Sequence, residues 1–345
     1  MTNIISFIIC LFFATLTQTL SAQELYVDPI NGQDTQTGSA EEPLASLAAA
    51  VYRANNYTGT GSIRIRLFPG LYTLDNKIPI NPLRVMSDTA VYSIEAVTMP
   101  DDQEWSPDKM PIIQSVSPNN SETQFPHATG LLVSTAHVKI QGLKFLGNSN
   151  PGVSYYYPIS KENPALEDLE VSQCYFVGNK ESAPIQGGVW AHGPQNSVTH
   201  CIFYECRNAV LFFQNVRDFT IANSIIFGAY ESAFWFGPED VPFTFTNNVI
   251  ADCHYFLVGP QDLKYSSAFT HSVIANNAHE VGYWSGEQQK VVAMKSPSIE
   301  EKDIIKRGKI SLVRNESVQL PENHLHLAPG STGLDLQTGI FKKPH

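Results

Sequence analysis

From Ile140 onward, apolar and small or polar positions fall into a unit that returns five times. The six segments are IQGLKFLGN from Ile140, VSQCYFVGN from Val171, VTHCIFYEC from Val198, IANSIIFGA from Ile221, FTNNVIADC from Phe245 and FTHSVIANN from Phe269. Counted from the leading apolar residue, +5 is apolar and +8 is small or polar. The +5 column reads Phe145, Phe176, Phe203, Ile226, Ile250, Ile274, and the +8 column reads Asn148, Asn179, Cys206, Ala229, Cys253, Asn277. By subtraction, successive starts lie 31, 27, 23, 24 and 24 residues apart. A self-similar period of this size is the mark of a solenoid, whose units bury their apolar faces on one another. Strand-forming repeats with Asn at the bends predict stacked parallel coils.

A second apolar segment lies between repeats: GLLV at 130, GGVWAHGP at 187, NAVLFFQN at 208, SAFWFGP at 232, HYFLVGP at 254 and EVGYW at 280. Gly-Pro pairs beginning at 193, 237 and 259 end this strand. Each coil therefore has at least two strands, and free strand edges remain only at the two ends. Upstream, VYSIEAV and PIIQSV are strand candidates within residues 84–127. Residues 149–166 read as a loop with three consecutive tyrosines. Residues 285–322 break the repeat and read as a loose flank or a closing helix over EEKDIIKRGK.

The mature chain opens with a short strand, a Gly/Asp/Asn-rich loop and a helix expected near 43–54. Glu41, Glu42 and Pro43 suit a helix first turn. Leu44, Leu47, Ala48 and Val51 would share one face. A solenoid needs such a cap over its open end. Residues 4–20 are an apolar run followed by Ser21 and Ala22, which predicts a secretory signal peptide cleaved after Ala22. Its n-region, MTN, lacks Lys and Arg, so an N-terminal anchor is the alternative. No other stretch is long and apolar enough to span a bilayer. The protein is expected to be secreted, periplasmic or extracellular.

The opening residues Tyr26-Val27, Gly32-Gln33-Asp34, Pro43 and Pro69-Gly70-Leu71-Tyr72, with closing residues Leu327, Pro329, Ser331, Asp335 and Gly339, carry a resemblance. In this order they resemble secreted right-handed parallel β-helix proteins of the pectate-lyase-like superfamily. The resemblance covers nearly the whole mature chain, is specific for fold and is weak for activity. It implies an all-β, single-stranded right-handed parallel β-helix of about seven or eight coils with an N-terminal helical cap. The expected domain is 23–345, with cap and first coil over 23–75, regular coils over 128–284 and a closing flank over 285–345.

The chain has 345 residues, 43% hydrophobic and 16% charged, which is globular composition. A net charge of −11 argues against nucleic acid as a partner. It also disfavours a polyanionic substrate unless a local basic site offsets the field. After signal removal Cys174, Cys201, Cys206 and Cys253 remain, all on inward columns. Cys174 and Cys201 sit on adjacent coils, roughly 4.8 Å apart, which permits a disulfide; reduced core cysteines are the favoured reading. Their spacing matches no zinc pattern, and no metal or other cofactor is expected. Asp28, Asn31 and Asp34 could form a calcium-type oxygen cluster, with loop hydrogen bonding the favoured role.

Chemistry in a solenoid must come from outward positions and bends. The bend after +8 brings Lys180-Glu181, Arg207-Asn208, Tyr230-Glu231, His254-Tyr255 and Ala278-His279-Glu280 to one ridge, with Glu205, Asp252 and Asn276 at +7. By the repeat, Arg207, Tyr230 and His254 share a column, and Glu181, Glu231 and His279 share the next. Two chemistries fit. β-Elimination of a uronic-acid polysaccharide needs a cation, a base and an acid, which Arg207, His254 and Tyr230 could supply with help from Lys180. Glycoside hydrolysis needs two carboxylates, for which Glu181 and Glu231, about 10 Å apart at the backbone, suit an inverting pair. A solvated bend explains the same residues without chemistry. Aromatics on the second strand, Trp190 and Trp235 among them, and the triplet Tyr155, Tyr156 and Tyr157 are candidate sugar platforms. His192 and His279 complete the substrate-binding candidates. The expectation is a monomeric, secreted carbohydrate-active enzyme, lyase or glycoside hydrolase. A non-catalytic glycan-binding or surface-adhesion protein is the alternative.

Overall fold

The computed structural model describes residues 22–343 except 124, 238–239, 263–266, 296–297 and 315–319. The predicted signal peptide lies outside them apart from Ala22. Each of the first five repeats proves to be two strands with a corner between them, and the sixth is one strand bent at the same place. In the unit from Val171, strands Leu169–Ser172 and Tyr175–Val177 flank Gln173, whose φ is 54°. The same +2 place is held by Gly142, His200, Asn223, Asn247 and His271, with φ between 43° and 72°. Left-handed backbone turns a chain sharply; Gly adopts it freely, while other L-residues lose about 1–2 kcal/mol. His137, Asp168, Gln195 and Asp218 make a second such corner ahead of the repeat, and Glu205, Gly228, Asp252 and Asn276 a third at +7. Three corners divide the regular coil into three strands, one more than the minimum of two read from the sequence.

Among the described residues seven coils carry three separate strands, from Ile63 to Val258; in the next, Phe269–Ala275 runs through the corner as one strand and is followed by His279–Ser285. Neighbouring coils pair parallel and in register. Leu25, Ile65, Ile94, Ile140, Val171, Val198, Ile221, Phe245 and Phe269 form one buried column. Two strands of each coil join a 17-stranded sheet, and the third builds a nine-stranded sheet. Inside, Phe145, Phe176 and Phe203 stack with near-parallel rings 5.0 and 4.5 Å apart. The +3 residues Leu143, Cys174, Cys201, Ser224, Asn248 and Ser272 are all buried. The Asn248 amide donates to the Ile221 carbonyl and accepts from the Ser224 N–H, so the polar rung is satisfied within the stack. The four cysteines are free thiols, so Cys174 and Cys201 form no disulfide. Burial pushes the Cys206 and Cys253 thiols up, Cys253 to about 12. Asn179 leaves the +8 column and is exposed; its Oδ1 accepts the Glu181 and Ser182 N–H groups and shapes the next bend.

The cap helix runs Leu47–Asn55, later than 43–54, with Ser46 as N-cap accepting from the Ala49 N–H. Glu41, Glu42 and Pro43 precede it. Its buried face is Leu47, Ala50, Val51 and Ala54, and Ala48 is exposed. Asp34 explains the shift. Its Oδ1 accepts the Ala45 and Ser46 N–H groups and its Oδ2 accepts the Ser46 hydroxyl, which anchors the helix entry there. Asp28 likewise takes N–H groups of Ile30 and Asn31. The proposed calcium cluster is thus occupied by loop hydrogen bonds.

Two stretches depart from expectation. The predicted loop 149–166 contains strand Tyr156–Lys161, paired with Ala128–Val133 and Gly187–Ala191. The flank 285–322 holds no described helix. Lys290–Ala293 folds back antiparallel on His279–Ser285, and Glu301–Ile305 pairs parallel with Phe269–Ala275. Exposed Glu301, Lys302 and Asp303 place charge on that open edge, which resists pairing with another chain.

Candidate functional site

The bend into the nine-stranded sheet is where outward chemistry collects. Gly187, Asn208, Ser232, Tyr255 and His279 are register partners across five coils. One residue earlier stand Gln186, Arg207, Glu231 and His254. Tyr230 does not share the column of Arg207 and His254, contrary to the repeat count. Cys206 to Ala229 spans 23 residues, whereas the paired Asn208 and Ser232 are 24 apart, so one extra residue enters this bend. Both the Glu231 and Ser232 N–H groups donate to the Arg207 carbonyl, at 2.9 and 3.1 Å. That two-against-one pattern is a bulge. It turns Tyr230 aside and sets Glu231 next to Arg207.

Glu231 is held on both oxygens. Arg207 Nη2 donates to Oε1 at 2.7 Å and Asn208 Nδ2 to Oε2 at 2.7 Å. Arg207 Nη1 also donates to Gln186 Oε1 at 3.2 Å, and its guanidinium lies 5.9 Å from the Tyr155 ring. Burial works against the Arg207 charge, but Glu231 and Tyr155 outweigh it and raise its pKa. Tyr230 lies under Lys180, whose Nζ is 5.5 Å from the ring centroid. Burial first, then Cys206, pushes the Tyr230 phenol up to about 12. The phenol therefore keeps its proton at neutral pH. His254 packs edge-on against Tyr255 at 4.7 Å and His279 at 5.2 Å, and Tyr255 and His279 stack at 4.8 Å.

These groups open on a depression of about 510 Å³. Lys180, Arg207 and Lys290 bring three cations to its lining, against the one carboxylate of Glu231. Glu181 is exposed in the neighbouring bend and is not part of that lining. Of the two carboxylates considered for hydrolysis, only Glu231 lines the depression, although the charges of both reach the Tyr230 phenol. Lys290 was not singled out by the repeat, because it arrives on the antiparallel strand that follows the last coil.

An aromatic track adjoins the depression on the outer side of the nine-stranded sheet. Tyr157 and Trp190 lie 4.7 Å apart, Trp190 and His192 5.7 Å, His192 and Phe213 6.2 Å, Phe213 and Trp235 6.1 Å, Trp235 and Trp284 6.3 Å. Trp190 and Trp235 are half-buried and Trp284 is exposed. His192 is buried, and its Nδ1 accepts the Gln214 N–H. Burial lowers its pKa. Tyr156 is a correction: it is 1% exposed and belongs to the core. Strand alternation sends it inward and leaves Tyr155 and Tyr157 to the other side. The track ends beside a pair the sequence reading missed, His127 and Glu162, whose Nε2 and Oε1 are 3.8 Å apart. No helix among the described residues is long and apolar enough to cross a membrane.

Comparison with known proteins bears on the fold. No curated protein matches the chain in sequence. Among solved structures, a GH136 lacto-N-biosidase from Eubacterium ramulus is similar at 10% identity, covering 82% of this chain and 68% of its own, with a TM-score of 0.45. A rhamnogalacturonan lyase is similar at 12% identity over 92% of this chain and 99% of its own, TM-score 0.45. XylC in complex with xylose is similar at 8% identity over 90% and 73%, TM-score 0.46. The model of the right-handed β-helix region matches residues 114–293. That span takes in most of the coils and both sides of the depression, and the chain belongs to the right-handed β-helix family.

Proposed function

We propose that this protein is a carbohydrate-active enzyme that cleaves an acidic polysaccharide by β-elimination at the depression around Arg207. The observation that carries the reading is the charge of the lining. A chain of net charge −11 gathers Lys180, Arg207 and Lys290 around a single carboxylate that Arg207 neutralises and Asn208 hydrogen-bonds, which leaves the two lysines uncompensated within the lining. Such a local field draws an anionic sugar against the overall charge. Two-carboxylate hydrolysis lacks its second carboxylate in this lining.

In the proposed reaction the rim lysines bind the uronate carboxylate and stabilise the charge that develops when the adjacent carbon loses its proton. His254 takes that proton. The bond to the glycosidic oxygen breaks, a carbon–carbon double bond forms, and Tyr230 protonates the leaving oxygen. Arg207 and Glu231 position the bend rather than react. The half-buried rings of Trp190 and Trp235 support the C–H faces of neighbouring sugars.

The test is a screen of the purified protein against acidic and neutral polysaccharides, recording unsaturated-uronate absorbance and reducing ends together. Unsaturated product that disappears in Lys180→Ala/Lys290→Ala supports elimination. Reducing ends without unsaturation would overturn it in favour of hydrolysis. Binding without any product would make the same surface a glycan-binding module.

A further inference from the structure

A second cavity, of about 370 Å³, lies on the other side of the molecule, where the C-terminal segment crosses the +2 corners of the 17-stranded sheet. The segment is tied across the coils. Gln173 Nε2 donates to the Ile340 carbonyl at 2.9 Å, Asn247 Nδ2 to the Leu336 carbonyl at 3.0 Å, and the Gly339 N–H to the Asn223 carbonyl at 2.9 Å. The cavity is what remains between this strap and the corner residues His200, Asn223 and Asn247.

Three features point to a ligand. First, two buried polar atoms have no partner: Nδ1 of His200 and Oγ1 of Thr338, the latter on a residue only 8% exposed. Leaving such groups unpaired costs about 1–3 kcal/mol each; both residues line the cavity, so a turn of the Thr338 side chain or the His200 ring would bring them onto a bound hydroxyl. Second, the wall is amphipathic. Phe341 stacks on His326 at 4.8 Å, beside Leu327, Leu334 and Leu336. Third, no Asp or Glu lines the cavity, while Lys342 and Lys343 do. Asp101 sits against the backbone of the two lysines, and it is spoken for. Its Oδ1 accepts the Lys342 and Lys343 backbone N–H groups, and its Oδ2 accepts from Gln173. Burial first, and then Lys342, lowers the His200 pKa, so its ring is neutral and offers one donor and one acceptor.

We infer that this cavity binds a small hydroxylated carboxylate of monosaccharide size, such as a hexuronate. Its hydroxyls pair with His200 and Thr338, its C–H face lies on the apolar wall, and its carboxylate meets Lys342 and Lys343. The volume is in the range of small-molecule sites. This site shares no residue with the depression and rests on no part of the elimination reading.

The experiment is calorimetric titration of the purified protein with galacturonate and, separately, galactose. Both are repeated on Lys342→Ala/Lys343→Ala, on Thr338→Val and on the depression variant Lys180→Ala/Lys290→Ala. The lysines are exposed on the surface, so their removal should not disturb folding. The expected result is galacturonate binding that weakens about tenfold or more in Lys342→Ala/Lys343→Ala, weakens in Thr338→Val, and survives in the depression variant. Absence of galacturonate binding at millimolar concentration overturns the site. So does binding that is lost only in the depression variant, or that galactose matches.

Discussion

At the scale of single residues, the site depends on one inserted position. Without the bulge before Ser232, Tyr230 would hold the place beside Arg207 that Glu231 takes. The proposed division of labour follows. Tyr230 is the protonated donor, and Tyr230→Phe should lower kcat on an acidic polysaccharide by about 10²–10⁴. KM should change little, because the phenol acts on the leaving oxygen. Steady-state kinetics with each variant checks this. Another residue, Lys161, makes an independent prediction about stability. It is fully buried, its Nζ donates to the Leu166 carbonyl at 2.8 Å, and burial lowers its pKa to about 8. Its unfolded value is near 10.5. Between the two the unfolded chain holds the proton and the folded chain does not, so stability from this group rises with pH. Urea titrations at several pH values should show the wild type gaining on Lys161→Met from pH 8 to 10.5, by about 3 kcal/mol in the limit. A difference that stays flat or falls over that range would refute the assignment.

At the scale of elements, the coil is defined as much by its corners as by its strands. Gln195 is exposed and has φ 58°. A β-branched side chain tolerates this poorly, so Gln195→Val should cost about 1–2 kcal/mol while Gln195→Gly costs little or nothing. Within the stack, Phe176 lies between Phe145 and Phe203. Phe176→Ala should cost about 3–5 kcal/mol by denaturant titration, because both ring contacts are lost and a cavity remains. The contrast explains what could be read from the sequence. Inward positions repeat because each must meet its own kind on the next coil, so Phe145, Phe176 and Phe203 were legible as a column. Corners at +2 carry Gly, Gln, His, Asn, Asn and His, which share a backbone angle but no side-chain chemistry. The strand Tyr156–Lys161 was hidden by Pro158 and by polar Ser160 and Lys161, whose burial is decided by neighbouring coils. The bulge at Tyr230 was hidden for a related reason: register is set by which N–H meets the Arg207 carbonyl, and no residue type announces that. Lys290 joined the depression through an antiparallel return outside any repeat.

At the scale of the whole molecule, a solenoid is held mostly by neighbours, so its coils could unfold piecemeal. The C-terminal strap counters this. Beyond its ties to Gln173, Asn223 and Asn247, it carries the His324 carbonyl that accepts the Tyr175 hydroxyl at 2.8 Å. Its Leu325, Leu327 and Ile340 pack with Ile202, Ile225, Val249 and Val273 into a second apolar cluster on the outside of the 17-stranded sheet. Those four side chains come from four successive coils, so a single segment couples coils that otherwise touch only in pairs. Each is worth about 1.5–3 kcal/mol when buried, and removing the strap would leave only Ile310 and Leu312 of the cover, opening much of the stripe to water. A chain ending at residue 322 should therefore retain its strands but bind a hydrophobic dye. Its urea transition, followed by tryptophan fluorescence, should broaden and begin at lower denaturant than that of the full chain. The broadening is the informative part: a strap that merely added local contacts would shift the midpoint and leave the slope intact, whereas one that joins the coils sets their cooperativity.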